Sequence, residues 1–278
     1  MMPSALSDSE KHYKEALRSA EWDVGDGRAP RFQYVILSLP RSGSEFLCAS
    51  LRRRGMGVPL EYFTASAMAE RLGCGDGAGN IHLATYLPQL HAKRTTPNGI
   101  FGVKLHPFHL KSVAGEDSGN AALFLGLFDR TVVLRRRDKV LQAISLARAH
   151  FTGQFHIVPG DAVRPLTETD DTLFVRITEC LARILEDERY VASVMAHVDP
   201  RKVATLWYED LSESAIDGLA ADFAARSGTS SPTSTPYAGH AVPQRGDAEE
   251  ALSVKRRFLA RITGEEWIDR TAARLSPS

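Results

Sequence analysis

The sequence predicts an α/β domain built on a mostly parallel sheet with helices on both faces. Three observations point there. Short apolar and β-branched runs at about residues 32–39, Ile100–Leu105, Thr131–Leu134 and Val203–Tyr208 have the length and composition of buried strands. Between them lie stretches with helical periodicity, and strands alternating with helices make parallel sheets covered on both sides. Arg41 and Arg137 both fall directly after a strand, at the carboxyl ends where such sheets hold their ligands.

The elements can be taken in order. After the first strand a short turn leads into a helix with apolar Phe46, Leu47 and Leu51. That helix runs to about Arg54 and stops at Gly55-Met56-Gly57, with Arg52, Arg53 and Arg54 suited to the negative end of its dipole. Val58–Phe63, broken by Pro59, reads as a loop or edge segment returning near the end of the sheet. Residues 64–98 carry helical pieces around Ala65–Leu72 and His82–Lys93, separated by Gly73–Gly77, which is taken as a surface loop. The turn Pro97-Asn98-Gly99 leads into the second strand. Further helices are predicted at about Lys139–His150, residues 171–196, beyond Leu211 to Arg226, and Ala248–Thr263. A Ser-, Thr-, Pro- and Gly-rich link covers residues 227–246.

At 278 residues the chain can bury a sizeable core, and 43% apolar with 24% charged residues describes an ordinary globular protein. The organisation expected is a polar N-terminal arm over residues 1–30, holding one weakly amphipathic helix near Ser9–Trp22, and a single domain over 31–278. Lys plus Arg and Asp plus Glu are 34 each, so no global field recruits nucleic acid, and any anion site is local. The N-terminus has no apolar core of signal-peptide length, and Ala121–Phe128 is too short to span a bilayer, which gives a cytoplasmic expectation. Cys48, Cys74 and Cys180 show no paired spacing and indicate neither a disulfide framework nor zinc. Cys48 stands six residues before Arg54, the spacing of the cysteine phosphatase loop. It lies about a turn inside the helix, however, and is read as a small buried residue.

Two local anion sites carry the functional reading. Tyr34–Leu39 followed by Pro40-Arg41-Ser42-Gly43-Ser44 is a strand, a tight loop and a helix start. Main-chain N–H groups of residues 42–45 then converge beside the positive end of the dipole, with Arg41 alongside. In the second, Arg137 ends a strand and Ser145 follows eight residues later, so both can face one side of the next helix. Alone, the first is also an ordinary strand-to-helix turn, and the second a solvated strand end. Together they would grip a nucleotide with phosphates at both ends of its ribose. The loop lacks the Gly-Lys-Ser/Thr of a kinase or hydrolase P-loop, which disfavours a triphosphate. Lys104 reads as a charge-paired lysine at a strand end, and His106 and His109 read as surface histidines.

These residues resemble the PAPS-dependent sulfotransferases, within them the bacterial trehalose 2-sulfotransferase-like group. The resemblance rests on five blocks in order: Pro40–Ser44, Glu61-Tyr62-Phe63, Thr96–Leu105, Arg136–Ser145 with Ala147-Arg148-Ala149, and Arg245–Ala248 with Arg257-Phe258. It implies a P-loop-like sulfotransferase fold and no metal. Arg41, Ser42, Gly43 and Ser44 would bind the 5′-phosphosulfate, Arg137 and Ser145 the 3′-phosphate, and the segment with Arg245 and Arg257 would close over that side. Glu61 would be the general base for a carbohydrate or glycolipid hydroxyl, and Lys104 would approach the sulfuryl oxygens or pair with Glu61. His106 and His109 could contact sugar hydroxyls if they are not simply surface residues, and homodimers occur in the family. Glu45 departs from the family, which carries Thr or Ser there; it should turn outward or pair with a nearby Arg. The alternative it raises is a weakly active PAP- or PAPS-binding protein of the same fold.

Overall fold

The computed structural model describes Leu17 and residues 19–64, 67–75, 81–155, 162–229 and 248–263. Four strands, β1 (Phe32–Ser38), β2 (Ile100–Leu105), β3 (Arg130–Arg135) and β4 (Val203–Trp207), form one sheet in the order β2-β1-β3-β4. All three pairings are parallel, with Val35 opposite Val103 on one side and Thr131 on the other. The central strand β1 is almost wholly buried because both its faces are covered. Val35 and Leu37 join one core cluster, whereas Phe32, Tyr34 and Ile36 join the other.

The helices divide accordingly. On the Tyr34 face, α1 (Ser44–Arg53) contributes Leu47, Cys48 and Leu51. The larger face takes α2 (Ala67–Arg71), α3 (Leu83–Arg94), α4 (Pro107–Ala114), α5 (Ser118–Leu125), α6 (Lys139–Thr152) and α7 (Asp170–Met195). Then α8 (Glu213–Ser227) returns to the α1 side with Ile216, Leu219 and Phe223, and α9 (Ala248–Ile262) packs Val254 and Phe258 on the larger core. The helices α4 and α5 fill residues 106–125, to which the sequence pattern assigned no element. In α5 the apolar positions are crowded into Ala121, Ala122, Phe124 and Leu125, too dense for a clear one-sided period.

Several expectations meet their positions here. Arg54 pairs with Glu213 at 2.5 Å and Asp217 at 2.7 Å, binding the α1 terminus to α8. Val58–Phe63 runs beside β2 through a bridge between Leu60 and Val103. The described end of the N-terminal segment is tied down: Arg94, fully buried, donates to the carbonyls of Leu17 and Ser19 and pairs with Asp23 at 3.2 Å. From residue 230 the Ser- and Pro-rich link lies outside the described residues, as does most of the helix expected near Ser9–Trp22. Among the described residues no helix is long and apolar enough to cross a membrane.

Gly102 shows how tightly β1 and β2 are fitted. Its register partner is Tyr34, whose hydroxyl donates to the Met56 carbonyl at 2.6 Å. A Cβ at Gly102 would stand 2.5 Å from Tyr34 Cζ. Gly102→Ala is therefore expected to destabilise the fold by about 1–3 kcal/mol through overpacking, read as a lowered urea midpoint; an unchanged midpoint would show that the Tyr34 ring moves aside freely.

Candidate active site

The loop after β1 is shaped by what its carbonyls do. Ser42, fully buried, donates its hydroxyl to the Leu39 carbonyl at 2.7 Å. Gln142 of α6 donates to the Pro40 carbonyl at 2.8 Å, and Arg136 donates to the Arg41 carbonyl at 3.2 Å. In a trans peptide the N–H points opposite to the C=O. Holding the Pro40 and Arg41 carbonyls on these donors therefore turns the N–H groups of Arg41 and Ser42 away from Gln142 and Arg136. Arg41 is the one non-glycine residue with positive φ among those described, at 64°, and Gly43 follows at 84°. A side chain at Gly43 would also meet Tyr208 Cδ2 at 2.6 Å, so both conformation and space demand glycine. A loop of this shape at a helix N-terminus is able to hold an anion.

Arg41 and Ser145 come together. The Arg41 Nε donates to the Ser145 hydroxyl at 2.9 Å and its Nη1 to the Phe155 carbonyl, so the guanidinium braces the loop against α6. Burial, then the neighbouring Arg136, lowers the Arg41 pKa. Arg137 stands apart from that brace. Its guanidinium makes a bidentate pair with Asp210, at 2.7 and 2.6 Å, and lies 4.9 Å above the Trp207 ring. Glu209 accepts from the N–H groups of Arg137 and Asp138, at 3.0 and 3.2 Å. The eight-residue spacing of Arg137 and Ser145 says nothing of this, because the partners come from the end of β4, more than 60 residues away. The polar pair Glu209-Asp210 directly after an apolar strand was the available signal.

Arg257 pairs with Asp170 at 3.0 Å, joining α9 to the start of α7, and Lys255 of the same helix reaches Asp138, the N-cap of α6, at 2.5 Å. Arg245 lies outside the described residues.

Between the loop and β2 lies a buried charged cluster. The bridge from Leu60 to β2 puts Glu61 beside Lys104, and Lys104 Nζ meets Glu61 Oε1 at 2.6 Å while also binding Glu45. Glu45 was expected to turn outward or pair with an arginine; it has a lysine partner from the end of β2, and its charge also acts on Arg41. His106 and His109 are buried, at 7% and 2% exposure, which corrects their reading as surface residues. The chain turns from β2 directly into α4, and His109 Nδ1 caps that turn by accepting from the His106 N–H at 3.1 Å. A neutral His109 then carries its proton on Nε2 and donates to Thr64 Oγ1 at 2.7 Å, while Thr64 donates to Glu61 Oε2 at 3.0 Å. His106 Nδ1 donates to the Ser38 carbonyl at 2.6 Å, and its Nε2 lies 3.2 Å from Glu61 Oε1.

Burial alone would raise the Glu61 carboxyl, but Lys104, then His106 and His109, hold it well below the usual carboxylate range. Burial would lower the Lys104 ammonium, and Glu45 and then Glu61 instead raise it. Cys48 is buried, its thiol pushed up to about 12 chiefly by burial, so it is no nucleophile at neutral pH. Of the roughly four acceptor positions on the Glu61 carboxylate, Lys104 takes one on Oε1 and Thr64 one on Oε2. A further hydroxyl would meet Oε2.

The family model for Stf0 sulphotransferase matches residues 33–188, from the start of β1 through most of α7, including the loop and the Glu61 cluster. The chain belongs to the Stf0 sulphotransferase family. No curated protein matches it. Among the described residues no group of three or more His, Cys, Asp or Glu side chains is arranged to hold a metal ion.

Acid should act on this cluster through His109, whose pKa burial pushes down to about 3 from an ordinary 6.5. Below 6.5 the unfolded chain binds the proton and the folded chain does not, so stability falls as pH falls toward 3. Between pH 6.5 and 5 the slope should reach the order of 1 kcal/mol per pH unit in urea titrations. His109→Gln, whose amide oxygen can still accept from His106, should flatten it; an unaltered slope would remove His109 from the acid response.

Proposed function

We propose that this sulfotransferase-family chain moves the sulfuryl group of PAPS to a hydroxyl of a carbohydrate or glycolipid, with a trehalose-like acceptor as the family precedent. One observation carries the reading. Lys104 touches both Glu45, in the first turn after the anion cradle, and Glu61, a buried carboxylate whose Oε2 keeps an acceptor position beyond the Thr64 hydroxyl. A base and an anion site are therefore a single side chain apart.

The cradle of Arg41, Ser42, Gly43 and Ser44 would hold the 5′-phosphosulfate through main-chain N–H groups, with the Ser42 hydroxyl fixing the loop from inside. The 3′-phosphate is assigned to Arg137, in exchange for Asp210, and to the α6 side near Ser145. The acceptor hydroxyl donates to Glu61 Oε2 and attacks sulfur in line. The new O–S bond forms as the S–O bond to the 5′-phosphate breaks, PAP leaves with that electron pair, and the proton ends on Glu61. Phe108, 45% exposed with its ring 4.0 Å from that of His109, offers a flat apolar face to a sugar ring beside this base.

Calorimetric titration with PAP, 5′-AMP and magnesium-ATP tests the donor. PAP is expected to bind at micromolar affinity or better, about 8 kcal/mol, with 5′-AMP much weaker; no PAP binding would sink the reading. Arg137→Ala should erase most of the difference between PAP and 5′-AMP, and equal discrimination in that variant would move the 3′-phosphate elsewhere. Glu61→Gln should abolish transfer with PAP binding retained, whereas wild-type turnover would exclude Glu61 as the base.

A further inference from the structure

Glu45 is the residue the proposed chemistry leaves unexplained. It is an anion in the first turn of α1, at the mouth of a loop built to hold anions, where a bound phosphosulfate would repel it. A carboxylate at a helix N-terminus is by itself favourable and needs no further purpose. Its partner changes that account. The Glu45 side chain, 22% exposed, is spent on Lys104, which is 2% exposed and simultaneously 2.6 Å from Glu61. Nothing in the geometry of a helix start requires the buried ammonium of a neighbouring strand to be shared with a second carboxylate.

That sharing matters because Glu61 as it stands is a poor base. Lys104 donates to Oε1 and Thr64 to Oε2, and a carboxylate so stabilised has little affinity for a proton. For Glu61 to accept a proton from a hydroxyl, its strongest cationic partner has to be drawn off. The proposed chemistry supplies one agent able to do so, the donor anion itself, arriving on the Glu45 side of Lys104.

We propose that Glu45 is a positioning residue that holds Lys104 toward the anion loop, so that donor binding takes the ammonium from both carboxylates and leaves Glu61 free to accept the acceptor proton. The inference rests on the PAPS reading. Glu45 and the donor compete for Lys104, so the chain binds its donor less tightly than it would without Glu45. In return the base is active only when a sulfuryl group is in place to be transferred.

A double-mutant cycle on PAP affinity tests this, using wild type, Glu45→Gln, Lys104→Met and the pair, each titrated calorimetrically. Glu45→Gln is expected to tighten PAP about fivefold or more, and that gain should vanish in the Lys104→Met background, the non-additivity typical of residues that share a partner. The same Glu45→Gln variant should turn over more slowly although it holds donor more tightly. A gain of equal size in both backgrounds would mean plain repulsion between Glu45 and phosphate and would overturn the inference, as would a variant that gains both affinity and turnover. Should Lys104→Met fail to fold, the Lys104 ¹⁵Nζ resonance of the wild-type chain decides. It should move on adding PAP as the ammonium changes partners, and a resonance unmoved by saturating PAP overturns the proposal. If wild type binds no PAP, the sulfotransferase reading falls and takes this one with it; binding with an additive cycle removes this one alone.

Discussion

The site depends on a buried ammonium. Lys104 leaves β2 at a position whose neighbours in the sheet are apolar, and its Nζ is almost wholly removed from water. An unpaired charge there would cost several kcal/mol, and breaking a buried pair is as costly. Glu45 and Glu61 supply the compensation from two different segments, one after β1 and one beside β2. Satisfying Lys104 therefore fixes how the start of α1 and the Glu61 segment stand relative to each other. His106 extends the constraint, joining Glu61 to the Ser38 carbonyl at the very end of β1. The spacing between the loop after β1 and the Glu61 carboxylate is set by polar contacts of 2.6–3.2 Å to common partners, not by the packing of loops.

The sheet supplies the larger frame. With all strands parallel and β1 between β2 and β3, the chain segments that leave their carboxyl ends emerge along one edge. The Glu61 cluster sits on the β2 side of β1, and the Arg137 turn sits on the β3 and β4 side. The loop after β1 lies between, braced by Arg41 to Ser145 and by Gln142 and Arg136 to its own carbonyls. One extended ligand crossing that edge would touch all three. A strand order that put β1 at the edge would separate them.

How much of this the sequence discloses depends on how local each feature is. The strands were legible because each is a continuous apolar run, and β1 is continuous because both faces of the sheet are covered. The tight turn after β1 was legible because Arg41, Ser42 and Gly43 are consecutive and a helix follows at once. The partner of Glu45 was not, since Lys104 is 59 residues away and only the β1 to β2 register brings it near. The histidines were misread for a related reason: two polar residues after a strand resemble an exposed turn, and their burial follows from α4 starting at once on Pro107. Arg137 was placed at the correct strand end, but its bond to Asp210 spans 73 residues and is a property of the β3 to β4 pairing.

Both ends of the proposed donor site share one electrostatic pattern. The cationic groups there are engaged by carboxylates of the chain itself, Lys104 by Glu45 and Glu61, and Arg137 with its adjoining N–H groups by Asp210 and Glu209. The environments differ. Lys104 is buried, so its pairs are strong and their exchange has to be matched by an anion that replaces them closely. Arg137 is half exposed, and its pair with Asp210 is screened by solvent and contributes little to folding. A phosphate at the Arg137 end thus competes against a weak partner, whereas one at the Lys104 end competes against two strong ones. Affinity for a donor should come mainly from the exposed end, leaving the buried end to convert that binding into a change in the base.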